Sequence, residues 1–189
     1  KLDIRSKNDK KPEPEPPKGD ALAEQTIRYE VPTKREAMLA DLTYMCAEIR
    51  GFAQIAESLE PPEVVDLINQ YLAFLVGLLR RHGATVDRFT GNSLRAFWGA
   101  LSPQPDDMLR AVKCGMALQA ELVQFNRLVS PGGQHKVELC IAFHGGEAVA
   151  GSLGFEQHYD FTVVGEVLSV THRLQELTRP GQVLITQSL

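Results

Sequence analysis

Between Pro61 and His82, Val64, Val65, Ile68, Leu72, Leu75 and Leu79 recur at intervals of three and four, the stripe of an amphipathic helix. Pro61 and Pro62 suit its first turn, where a missing N–H costs nothing. Arg80, Arg81 and His82 place cations at the negative end of the helix dipole, and Gly83 is free to adopt positive φ beyond it. Within this helix YLAFLVGLL is apolar almost all round, so two-sided burial is expected, against a sheet and against a second element or subunit. Met108, Val112, Met116, Leu118, Leu122, Phe125 and Val129 predict another helix, with its Met and Phe stripe in the core. Shorter helices are expected over Phe52 to Leu59 and Glu166 to Leu177.

The remaining apolar runs read as strands. LTYMCAEIRGF, Leu42 to Phe52, is rich in β-formers, carries the carboxylate of Glu48 near its end and breaks at Gly51. ATVDRFTGNSLRAFWG, Ala84 to Gly99, is two β-rich runs around Gly91-Asn92, the signal of a type II′ hairpin with Asn92 at its tip. Val137, Leu139, Ile141 and Phe143 alternate as a strand, and Gly145-Gly146 predicts a turn into a short strand, Glu147 to Ala150. Phe161 to Val164 and, past the Pro180-Gly181 turn, Val183 to Thr186 complete the set. Strands interleaved with helices around one tight hairpin imply an α/β (α+β) domain, a mixed sheet flanked by helices.

Composition narrows the class. Residues 1–35, with KNDKKPEPEPPKGD, hold too little apolar surface to offset ordering and read as a flexible linker, although Ala21 to Tyr29 fits either a short helix or solvated chain. One domain over 36–189 follows. Hydrophobic content of 43% and charged content of 23% fit a soluble globular protein, and no apolar run is expected to reach the roughly 18 residues of a membrane span. A net charge of −4 without a basic stripe argues against nucleic-acid binding. Cys46, Cys114 and Cys140 lack metal-ligand spacing and are expected to be buried reduced thiols, which fits a cytoplasmic setting. The start at Lys1, without Met, reads as a piece of something longer, with any membrane anchor or sensor outside it.

A carboxylate at a strand end beside a hairpin tip is a place to hold a divalent metal against a nucleoside triphosphate, because hard cations take oxygen ligands from a rigid backbone. The blocks CAEIRGF, VDRFTGN, AFHGGEAVAG, YDFTVVGEVLSVTHRL and PGQVLIT, in that order from about Asp41 to Leu189, resemble the catalytic domain of the class III adenylate and guanylate cyclases. The resemblance implies a ferredoxin-like β-α-β-β-α-β core. It also implies a chain truncated at its C-terminus, before the closing hairpin and phosphate-contacting lysine of the family.

In that family the ribose 3′-hydroxyl attacks the α-phosphate of ATP or GTP, with two Mg or Mn ions held by two aspartates. The matched positions here are Glu48 and Asn92. Glutamate moves its charge outward by about 1 Å, a shift that costs on the order of a hundredfold where geometry is tight. Asparagine keeps an oxygen and loses the charge. The family's ribose-orienting asparagine is matched by Ser169, and its transition-state arginine by Arg173, a residue suited to phosphate oxygens by its planar fork. Base selection is matched by Arg88 and Thr162, a pair that selects neither base outright and leaves adenine ahead of guanine. Backbone N–H groups of Arg50, Gly51 and Phe52 are expected to cradle phosphates. His144 resembles the family's turn histidine; it, His82, His135, His158 and His172 read as structural. Sites between two head-to-tail chains imply a homodimer, or a heterodimer with another cyclase domain. Three departures, at positions 48, 92 and 169, imply weak or absent catalysis and a regulatory or dimerisation role. The alternative is a slow or Mn-dependent adenylate cyclase completed by another chain.

Overall fold

The computed structural model describes residues 36–189 apart from 131, 134, 156–157 and 188. The expected linker over 1–35, with the segment Ala21 to Tyr29, lies outside the described residues. Along the chain run β1 (Met38–Arg50), α1 (Phe52–Glu57), α2 (Pro61–Arg81), β2 (Thr85–Thr90), β3 (Ser93–Trp98), α3 (Asp107–Val129), β4 (Glu138–Phe155), β5 (His158–Val164), α4 (Glu166–Glu176) and β6 (Val183–Ile185).

The strands form one sheet in the order β2-β3-β1-β4-β5, antiparallel throughout, with β6 added parallel to β4. The β2-β3-β1-β4 portion, with helices between β1 and β2 and between β3 and β4, is the expected ferredoxin-like core. β4 shares its second edge between β6, against Ile141 to Phe143, and β5, against Val149 to Phe155.

Period-two alternation along β1 sorts its side chains between two cores. Met45, Ala47 and Ile49 join the larger one with α2 and α3. Leu42 and Tyr44 join the smaller one on the opposite face, with Phe97, Ala148, Phe161, Val163 and Val167 of α4. Cys46 and Glu48 share the parity of Tyr44 and so face the α4 side.

α2 starts on a capping box, with Glu60 as cap and Glu63 returning a carboxylate oxygen to the Glu60 N–H at 2.9 Å. Its expected two-sided burial is met within the chain: Phe125 of α3 stacks on Phe74 at 4.8 Å and meets Tyr71 edge-on at 6.5 Å. By length and hydropathy this helix is long and apolar enough to cross a membrane, contrary to the expectation from sequence. Its Leu67, Tyr71, Leu75, Leu78 and Leu79 are instead core residues.

Two further expectations are corrected. Gly145-Gly146 is no turn: β4 runs straight through, pairing the two glycines with Thr43 and Leu42. The reason is the length of β1, which begins at Met38 rather than Leu42 and offers a continuous ladder. Met116 is 64% exposed and Met108 46%, so neither belongs to the core stripe of α3. That stripe is Ala111, Cys114, Gly115, Leu118, Leu122 and Phe125. Gly115 fixes the rotation, because a Cβ there would lie 2.6 Å from the ring of Phe143. All three cysteines are buried and free, and burial pushes the Cys46 and Cys114 thiols up to about 11 and about 12.

Candidate nucleotide site

Gly91 takes φ 58° at the tip between Thr90 and Ser93, as a two-residue hairpin with leading Gly requires. The tip is tied to the end of β1 by the Ile49 N–H donating to the Asn92 carbonyl at 3.0 Å. Asn92 Nδ2 then donates to Glu48 Oε1 at 3.2 Å and to the Ile49 carbonyl at 2.8 Å. Glu48 and Asn92 are therefore together, as their sequence positions suggested. The other carboxylate oxygen of Glu48 accepts from Nε2 of Gln175, a residue of α4 that is 2% exposed. Nothing in the sequence flagged Gln175, which lies 127 positions away.

This donor set does not fit a pair of dications. Glu48 supplies one negative charge, Asn92 none, and both Glu48 oxygens are taken by amide hydrogens. Among the described residues no three His, Cys, Asp or Glu side chains converge on a metal position.

Gly51, with φ 70°, turns β1 into α1. The Arg50 side chain leaves this corner: Nε meets Cys140 Sγ at 3.4 Å and Nη2 donates to the Thr178 carbonyl at 3.2 Å. What remains at Arg50, Gly51 and Phe52 for an anion is backbone alone.

Arg88 and Thr162 are brought together from the two ends of the strand order, Arg88 Nη2 donating to Thr162 Oγ1 at 2.7 Å. Beneath them lies Asp87, whose side chain is 0% exposed. It accepts from Tyr44 Oη at 2.6 Å, from Arg88 Nε at 3.3 Å and from the Thr162 hydroxyl. Burial and Asp87 push the Tyr44 pKa far up, so its hydroxyl remains a donor. A register shift between Val86 and Arg88 builds this cluster. The bulge lets Val86 and Phe89, three apart, both pack on the larger core while Asp87 and Arg88 face the other way.

Ser169 and Arg173 lie on α4, where with Leu168, His172 and Glu176 they line a groove of about 460 Å³ closed by Arg95 of β3. Arg173 and Gln175, two residues apart, point about 200° away from each other around the helix. Gln175 reaches Glu48 and Arg173 faces outward, so one chain does not bring Arg173 to Glu48. His144 Nδ1 contacts Thr186 Oγ1 at 2.8 Å, a structural setting. His82 caps α2, its carbonyl accepting from Trp98 Nε1 at 2.9 Å.

The sheet, the acidic strand end against a hairpin tip, and an arginine-bearing helix on the same face define a nucleotide cyclase fold. The family model of the adenylate and guanylate cyclase catalytic domain matches residues 36–189, and the chain belongs to that family. The crystal structure of the guanylyl cyclase Cya2 is 33% identical, with a TM-score of 0.76 over 82% of this chain and 78% of that one. The adenylyl cyclase CyaB from P. aeruginosa is 28% identical, with a TM-score of 0.76 over 80% of this chain and 79% of that one. Adenylate cyclase 1 of Rhizobium meliloti is 28% identical over 145 residues, 77% of this chain. The chain spans only 22% of that relative's length.

Proposed function

We propose that this domain binds a purine nucleoside triphosphate, ATP or GTP, at a dimer interface and turns it over weakly or not at all, serving cyclic nucleotide signalling as a regulatory or dimerisation module. The observation that carries this reading is the state of Glu48. Its two oxygens are held by neutral amides from Asn92 and Gln175, and the neighbouring position contributes no second charge. The family reaction requires dense positive charge around the triphosphate, and a single anion is a poor anchor for two divalent ions. In this reading Arg88 and Thr162 contact the base. Ser169 stands where ribose is oriented and Arg173 meets the α-phosphate, while the backbone at Gly51 and Phe52 donates to phosphate oxygens. Mg or Mn, where present, would neutralise triphosphate charge from Glu48, Asn92 and the Ile49 carbonyl.

A second reading, a slow Mn-dependent adenylate cyclase completed by another chain, is favoured by the intact contact of Arg88 with Thr162 and by the outward-facing Arg173. One assay separates the two. Purified domain, alone and mixed with an intact homologous cyclase domain, is incubated with ATP or GTP and Mn²⁺, and cyclic product is quantified. Product at background from the domain alone, with triphosphate binding seen by calorimetry, is the expected result. Robust product from the domain alone rejects the first reading.

A further inference from the structure

The groove between β3 and α4 contains a cation that the family comparison does not assign. Arg95 projects from β3 on the α4 face, directly across the ladder from Arg88 on one side and Cys46 on the other. It lines the groove with Arg173 and His172. Among the described residues neither Arg95 nor Arg173 has a carboxylate within ion-pair distance, whereas Arg81, Arg88 and Arg110 do. The groove's carboxylate, Glu176, lies 3.6 Å from His172 Nδ1. Arg95 is half-buried, beside the buried free thiol of Cys46. Arg88, opposite Arg95 in the ladder, is neutralised by Asp87, which leaves two guanidinium groups without a carboxylate partner facing one groove, and these repel one another unless an anion joins them.

We infer that Arg95 and Arg173 together bind the phosphate chain of the nucleotide, so that arginine charge supplies part of what the incomplete metal position does not and triphosphate binding survives without divalent ions. This rests on the nucleotide-binding reading above. Guanidinium forks match phosphate oxygens two at a time, and a groove of about 460 Å³ is the size that admits a polyphosphate with part of its nucleoside. The chemistry recognised is a polyphosphate anion, and free tripolyphosphate shares it.

The test is calorimetry on the whole chain in EDTA with ATP, ADP, AMP, adenosine and tripolyphosphate, repeated for Arg95→Met and Arg95→Lys. Methionine preserves length and apolar packing, and unchanged melting and dimerisation certify the fold. The expected result is ATP binding in EDTA that weakens with each phosphate removed, and a loss of at least tenfold in Arg95→Met that Arg95→Lys recovers in part. ATP binding tighter than tripolyphosphate marks a nucleotide site; equal binding marks a bare polyphosphate site and removes the nucleotide from the inference. ATP that binds only with Mn²⁺, or equally to wild type and Arg95→Met, overturns the role of Arg95 and leaves the broader reading standing. No binding of any triphosphate with or without Mn²⁺ overturns both. Should Arg95→Met fail to fold, the wild-type EDTA series decides alone, with equal affinity for ATP and adenosine as the overturning result.

Discussion

Replacing Asn92 by Asp puts a second carboxylate where an amide now donates to Glu48 at 3.2 Å. Two unit charges at that separation repel by about 1 kcal/mol in water and about 5 kcal/mol at an effective dielectric of 20. Both side chains are half-buried, so about 2 kcal/mol is a fair intermediate. The lost bond to the Ile49 carbonyl, now 2.8 Å, adds about 1 kcal/mol. A total near 3 kcal/mol lowers the melting temperature of a domain this size by about 6–12 °C. Divalent cation should reverse the change, since a ligand at a hundred times its dissociation constant restores about 2.7 kcal/mol. The assay is thermal unfolding of wild type and Asn92→Asp in EDTA and across a Mn²⁺ titration. A large Mn²⁺ shift in Asn92→Asp with a small one in wild type is expected. If the variant melts with wild type in EDTA, or if wild type gains as much from Mn²⁺ as the variant does, the charge deficit is not what limits this position.

Three further outcomes follow from the packing. Asp87→Ala strands the hydroxyls of Tyr44 and Thr162 and the guanidinium of Arg88, and should cost about 3 kcal/mol in urea unfolding; a loss under about 0.5 kcal/mol means the cluster is incidental. Gly115→Ala forces a Cβ to 2.6 Å from Phe143 and should destabilise by about 1–3 kcal/mol despite the better helix propensity of Ala; a gain in stability would mean α3 shifts freely. Burial holds the His144 pKa below its ordinary value, with Glu166 opposing. Because the unfolded chain then takes the proton first, the stability contributed is full above about pH 6.5 and declines below it. His144→Gln should flatten that part of the stability profile between pH 7.5 and 5.5, and an unchanged slope refutes the assignment.

Much of the fold was legible because β1, α2 and the hairpin each carry a strong local signal, and the pairing of Glu48 with Asn92 follows from those elements alone. Gly145-Gly146 misled because glycine pairs also occur inside a ladder whose partner strand is long enough, and the length of β1 is a tertiary fact. Met116 misled because α3 turns on Gly115, a close approach that periodicity does not register. Asp87 carries no local signal, because without the bulge alternation would put it on the opposite face from Arg88. Gln175 and Arg95 are ordinary surface types that come to the site only once α4 packs on β1 and β4.

With one anionic side chain held by amides, the position at Glu48 and Asn92 should not gather two divalent ions around a triphosphate. Counting Mn²⁺ by anomalous diffraction in crystals soaked with a non-hydrolysable purine triphosphate measures this. At most one partially occupied ion at Glu48 is predicted. Two fully occupied ions coordinated by Glu48 and Asn92 would show that a single carboxylate suffices to hold both.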